Sequence, residues 1–262
     1  MSLAWTCKSQ DMMCLRNNLL QKKSDYMSNK RINLGRTSFS SSADIKTAPT
    51  NFSEYETLVW CELGDMEKLP NFVANCMEHN IKAICGVAFF LRTPENCLIR
   101  EIEVICYAMD EEGSSGLEFL YSRSDYGVIE YNDFCQFSKH LQVGIDLVFG
   151  EVEMLAIENI LETVFVPDFV LIDENQDSFR SWGNCRKILE GKNILICGGR
   201  FPMGKHFADE TILTENFAFL GDKAYEYVIE NPQKIADRIS GNYRFDVSLI
   251  KKLTIEKECL PF

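Results

Sequence analysis

Thr57-Leu-Val-Trp-Cys61 and Lys82-Ala-Ile-Cys-Gly-Val-Ala-Phe-Phe90 bracket a single unit, and the reading of residues 57–90 decides the fold. The first run is β-branched and aromatic, which suits a strand. It breaks at Gly64-Asp65, where Asp65 can cap an opening turn, and Pro70 belongs near a helix start because proline has no amide to leave unpaired there. Met66, Leu69, Phe72, Val73, Cys76 and Met77 then recur at helical spacing and make one apolar face. Residues 82–90 are apolar nearly throughout, as befits a parallel strand covered on both faces. Strand, helix and parallel strand form a βαβ unit. Ligands of such sheets and barrels sit beyond the carboxyl ends of the strands, so chemistry is sought around residues 62–64 and 86–90.

The alternation propagates outward from this unit. Residues 31–34 read as a first strand, and a polar loop from Thr37 to Asp44 follows. Residues 99–109 alternate around Ile102, Val104, Cys106 and Ala108 and read as another strand. Gly113-Ser-Ser-Gly116 reads as a turn leading into a helix face of Leu117, Phe119 and Leu120. Residues 131–140 predict a short helix and 143–149 a strand, while 151–163 predict a helix with Met154, Leu155, Ile157, Ile160 and Leu161 inward. Strands at 169–172 and 193–197 flank a helix over 178–190, and 221–239 closes the core with a helix bearing Ala224, Tyr225, Val228, Ile229 and Ile235. Seven strands with interleaved helices predict an α/β fold, a closed or nearly closed barrel; a doubly wound open sheet is the alternative.

A chain of 262 residues can bury one substantial core. No apolar run approaches membrane-spanning length and no signal peptide is recognisable, so a cytoplasmic protein without membrane association is expected. Many of the 11 cysteines, among them Cys61, Cys76, Cys85, Cys106 and Cys197, fall inside apolar strands or helices, where thiols act as small hydrophobes. No C-x-x-C pair is present, which argues against a zinc site of the usual spacing. The formal charge of −12 repels phosphate backbones, so autonomous nucleic-acid binding is disfavoured. Residues 1–30 are locally basic, with Lys8, Arg16, Lys22, Lys23 and Lys30 against Asp11 and Asp25, and read as a solvated tail.

One motif tempts. Gly199 to Lys205 spells G-x-x-x-x-G-K directly after a strand, and Phe169-Val-Leu-Ile-Asp-Glu174 imitates an acidic strand end that holds Mg²⁺. Gly198, Gly199, Arg200, Lys205 and His206 would then form a ligand loop for a nucleotide. Against this, His206 stands where a hydroxyl must reach the metal, Pro202 removes an amide from the cradle, and Lys205 opens no apolar helix. A turn after a buried strand is the preferred reading. His79 and His140 fall at helix ends, where the dipole favours a cation.

Phe217-Ala-Phe-Leu-Gly-Asp-Lys-Ala-Tyr-Glu-Tyr-Val-Ile-Glu-Asn-Pro-Gln-Lys-Ile-Ala236 closely resembles the segment that closes the PHP (polymerase and histidinol phosphatase) domain of Gram-positive-type DNA polymerase III alpha subunits, PolC. Thr214-Glu-Asn216, Ile81-Lys-Ala-Ile-Cys-Gly86 and Gln142-Val-Gly-Ile-Asp-Leu-Val-Phe-Gly-Glu-Val-Glu153 are also similar to that family. The resemblance implies a distorted (βα)7 barrel over residues 31–241, with a basic tail at 1–30, a C-terminal extension at 242–262 and an ancestry in bacterial DNA replication. The family's metal centre uses H-x-H-T, T-D-H and G-x-E motifs and later histidines. Laid onto this chain, the first falls on Leu34-Gly-Arg-Thr37, with Leu34 and Arg36 at ligand positions. The second falls on Cys61-Glu-Leu63, keeping Glu62 but placing Leu63 where a histidine would stand; the third ends at Ala88, and a late histidine falls near Phe201.

Three histidines in the whole chain cannot build a multinuclear imidazole cage, and Arg36 would repel a cation. The resemblance therefore implies a degenerate, non-catalytic domain with no metal cofactor, retained to bind a protein partner the sequence does not name. No exonuclease insertion or polymerase palm is carried in these residues. The rival reading is a phosphoesterase using Mn or Zn on a rebuilt carboxylate site of Asp44, Glu62, Asp146 and Asp173, which the barrel would bring to strand ends.

Overall fold

The computed structural model describes residues 32, 34, 56–146, 153–173, 186–200, 214–215 and 217–258, all within a compact unit running Arg31–Phe262. The sequence-predicted βαβ unit is present: β1 (Thr57–Leu63), α1 (Leu69–Glu78) and β2 (Lys82–Arg92), with β1 and β2 parallel. The Asp65 carboxylate accepts from the Glu67 amide at 2.8 Å, making the opening turn, and Pro70 lies in the first turn of α1. Leu69, Phe72 and Cys76 are the buried face of the helix.

The remaining elements are β3 (Glu101–Ala108), α2 (Glu111–Arg123), β4 (Val128–Glu130), α3 (Tyr131–Phe137), β5 (Leu141–Asp146), α4 (Glu153–Thr163), β6 (Phe169–Asp173), β7 (Leu195–Arg200), α5 (Asn231–Asp237) and α6 (Val247–Glu258). Among the described residues the sheet runs in the order β1-β2-β3-β5-β6-β7, with β4 paired to β2 beyond the end of β1, and it curls into a half-barrel. Ile32 and Leu34 are both buried, and neither is assigned to a strand.

Three expectations need correction. The sheet is mixed, because β3 is antiparallel to both β2 and β5, where a uniform βα repeat would make it parallel. Residues 93–100 are too few for a crossover connection and can only return the chain beside β2. Gly113-Ser-Ser-Gly116 lies inside α2 rather than in a turn before it. The Asp110 side chain caps that helix by accepting from the Gly113 amide at 2.9 Å, Ser114 is buried with its hydroxyl donating to the Glu111 carbonyl, and the glycines admit close neighbours. A Cβ on Gly113 would stand 2.4 Å from the His140 carbonyl oxygen. Finally, residues 221–239 form no continuous α-helix: a 3-10 segment (Ala218–Lys223) and a π-helical turn (Glu226–Glu230) precede α5, with Gly221 in the left-handed region at the kink.

Successive strand residues face opposite sides, and the two sides hold different cores. On the convex side Trp60, Cys85, Val87, Phe89, Val104, Cys106, Val143 and Ile145 pack with α1, α2 and α3. On the concave side Cys61, Ile84, Ala88, Ile105, Tyr107, Phe169, Leu171 and Cys197 pack with Leu34, Ile235, Ala236 and Ile239. A third cluster joins Ile157, Val170, Ile172 and Ile196 to Phe217, Tyr227 and Val228.

Candidate functional site

The concave side at the carboxyl ends of the parallel strands is where chemistry was sought, and its floor is apolar. Leu34 and Ala88 are fully buried in this interior. The Leu34 carbonyl accepts a 2.7 Å hydrogen bond from the buried Tyr107 hydroxyl. Tyr107 stacks on Phe169 with ring centroids 6.1 Å apart, and burial drives its hydroxyl pKa well above the ordinary value. Gly86 and Gly144 make that stack possible. A Cβ on either would stand 2.5 Å from Tyr107 or 2.1 Å from Phe169.

Two acids of the rebuilt-carboxylate reading, Asp146 and Glu62, fall on opposite faces of the sheet. Asp146 ends β5 on the concave face and is buried. Glu62 alternates onto the convex face with Trp60, and its carboxylate pairs with the Lys68 ammonium at 2.9 Å. The sheet itself separates the two. Burial raises the pKa of Glu62, the Lys68 bond and charge opposing it and the neighbouring Asp65 adding to it. Lys68 also lies 5.7 Å over the Trp60 ring, a cation–π contact that keeps the ammonium at this edge. Leu63 is 37% exposed. Asp173 ends β6 opposite Arg200 across a register shift. Asp44, Arg36, Phe201, Lys205 and His206 lie outside the described residues.

Sequence reading missed one acid of the concave face. Val104 pairs with Ile145 across the antiparallel β3 and β5, so Glu103 stands one step on, level with Asp146 and on the same face. The signal was present, since alternation that puts Ile102, Val104 and Cys106 on the convex side puts Glu103 on the other. Among the described residues no group of three or more His, Cys, Asp or Glu is arranged to hold a metal ion.

The glycine-rich segment departs from a phosphate cradle at its first residues. β7 continues through Gly198 and Gly199 to Arg200, past the expected strand end at Cys197. Gly198 is buried, and a Cβ there would meet Val228 at 3.0 Å and Phe217 at 3.2 Å, so its lack of a side chain serves packing against the outer layer. His79 closes α1, its amide bonded to the Cys76 carbonyl, and His140 Nδ1 lies 2.9 Å from the Glu112 carboxylate. No protein-family model matches the chain, and no curated protein matches it either. No helix among the described residues is long and apolar enough to cross a membrane.

Proposed function

We propose that this chain is a non-catalytic PHP-like domain of PolC type, a distorted (βα)7 barrel acting in the cytoplasm as a binding or scaffolding module. One observation carries the reading: Leu34 and Ala88, at positions where the family sets metal ligands, are core residues packed under Tyr107. An aliphatic group there offers no lone pair to a cation. The similarity of residues 217–236 to the family's closing segment supports the ancestry, and the curled sheet is compatible with a distorted barrel.

Purified full-length protein, incubated with Mn²⁺ or Zn²⁺ and desalted, is expected to retain no stoichiometric metal and to hydrolyse no phosphomonoester. Two or more tightly held ions together with turnover would overturn the reading. In that event Glu103→Gln and Asp146→Asn should abolish both, and Glu62→Gln should not, because Glu62 faces the other side of the sheet.

A further inference from the structure

The C-terminal helix α6 is fixed to the body along one side. Ile250 is buried in the convex core, Leu253 packs partly against it, and the Thr254 hydroxyl lies 2.9 Å from that of Tyr121 in α2. The Asp246 carboxylate caps the helix by accepting from the Ser248 and Leu249 amides, both at 3.0 Å, and the Asp246 amide donates to the Glu118 carboxylate of α2. These contacts set both the position of the helix and its rotation about its own axis. Whatever its exposed sides offer is therefore held in a fixed array.

Val247, Lys251 and Ile255 are spaced four residues apart and make one ridge along that helix. Lys251 follows Ile250 directly and so projects about 100° round the axis from the core-facing side. Val247 is 44% exposed, Ile255 is 60% exposed, and Lys251 is exposed between them. With Leu249, this one helix bears three of the eight large apolar side chains left exposed among the described residues. An outward helix face normally carries charged and polar groups. Two branched apolar side chains on one ridge are instead the anchors by which a helix seats against a partner. The ammonium between them decides which partner. A second copy lying antiparallel across the ridge would set Lys251 against its own counterpart, and like charges so placed repel. A helix with an apolar face flanked by carboxylates covers both anchors and pairs with Lys251. The net charge of −12 does not draw such a segment in from a distance, so the local contacts on α6 must hold it.

We infer that the Val247–Lys251–Ile255 ridge of α6 is a docking surface for an acidic amphipathic helix of a partner protein. This deepens the reading of the chain as a binding module and rests on it. The probe is a fluorescently labelled helical peptide with leucine along one face and glutamate beside it, titrated against the full chain by anisotropy, with the same peptide carrying lysine for glutamate as control. The glutamate peptide is expected to bind and the lysine peptide not. Val247→Gln combined with Ile255→Gln should weaken binding by about tenfold or more while leaving Tm unchanged, since glutamine suits an exposed helical position. Lys251→Glu should reverse the preference between the two peptides. Equal binding by the double variant would overturn this surface while leaving a binding module standing. A lower Tm in that variant would overturn it too, by making the two side chains structural. Concentration-dependent dimers of the wild-type chain that the double variant loses would assign the ridge to a second copy and overturn the choice of partner. Metal-dependent turnover would instead defeat the underlying reading.

Discussion

Phe169 occupies space that only the missing side chain of Gly144 leaves open. A Cβ on Gly144 would come within 2.1 Å of that ring, which also stacks with Tyr107. Gly144→Ala is therefore expected to destabilise the protein by about 1–3 kcal/mol, the usual cost of overpacking a filled core. Urea denaturation followed by tryptophan fluorescence measures it, and a midpoint equal to that of the wild type would mean that the interior is loosely packed. The same crowding explains why Leu34 is held by its carbonyl as well as its side chain. Tyr107, fully buried, must place its hydroxyl somewhere, and the Leu34 carbonyl is the acceptor it finds.

At the scale of elements, β2 is the longest strand and its neighbours are staggered along it. β1 covers residues 82–88 on one side, and β3 covers 86–92 on the other. The first residues of β2 consequently lack a strand partner on the β3 side, and the segment after α5 supplies one. The Tyr243 hydroxyl donates to the Ala83 carbonyl at 3.1 Å and accepts from the Cys85 amide at 3.3 Å, while Ser240 bonds Met109 at the end of β3. The α6 helix then seats Ile250 in the convex core, and its Thr254 hydroxyl meets Tyr121 of α2 at 2.9 Å. Residues 240–254 thus complete the sheet instead of hanging from it. Tyr243→Phe should cost about 1–3 kcal/mol, because the ring still packs while two strand groups lose their partner. Thermal unfolding tests this, and a Tm within error of the wild type would show that solvent replaces the hydroxyl without penalty.

At the scale of the whole molecule, most of the described cysteines are core residues. Cys61, Cys76, Cys85, Cys97, Cys106 and Cys197 are buried, whereas Cys135 is exposed on α3. Burial pushes the Cys76 thiol up to about 12 and also raises those of Cys85, Cys106 and Cys197, so the nucleophilic thiolate is scarce at neutral pH. Among the described cysteines, pulse labelling of native protein with iodoacetamide, read by peptide mass spectrometry, should modify Cys135 first and leave the six buried thiols protected until denaturant unfolds the chain. Rapid labelling of Cys85 or Cys106 would show that the convex core opens readily.

Periodicity alone was enough for the βαβ unit at 57–90 and, within a few residues, for the strands read at 143–149 and 169–172 and found at 141–146 and 169–173, because each carries a local apolar pattern that a single strand or helix must bury. It could also place Tyr107 and Glu103 on the face opposite Val104 and Cys106. It could not read the Gly-Ser-Ser-Gly stretch, where glycines that look like a turn serve a helix packed against His140 and Phe137. Nor could it find β4, three residues long and defined by pairing with β2. The direction of β3 and the side of the sheet on which Glu62 falls both follow from how strands meet across the sheet. Spacing along the chain sets which residues share a face, but only the assembled tertiary structure decides which faces enclose the same space.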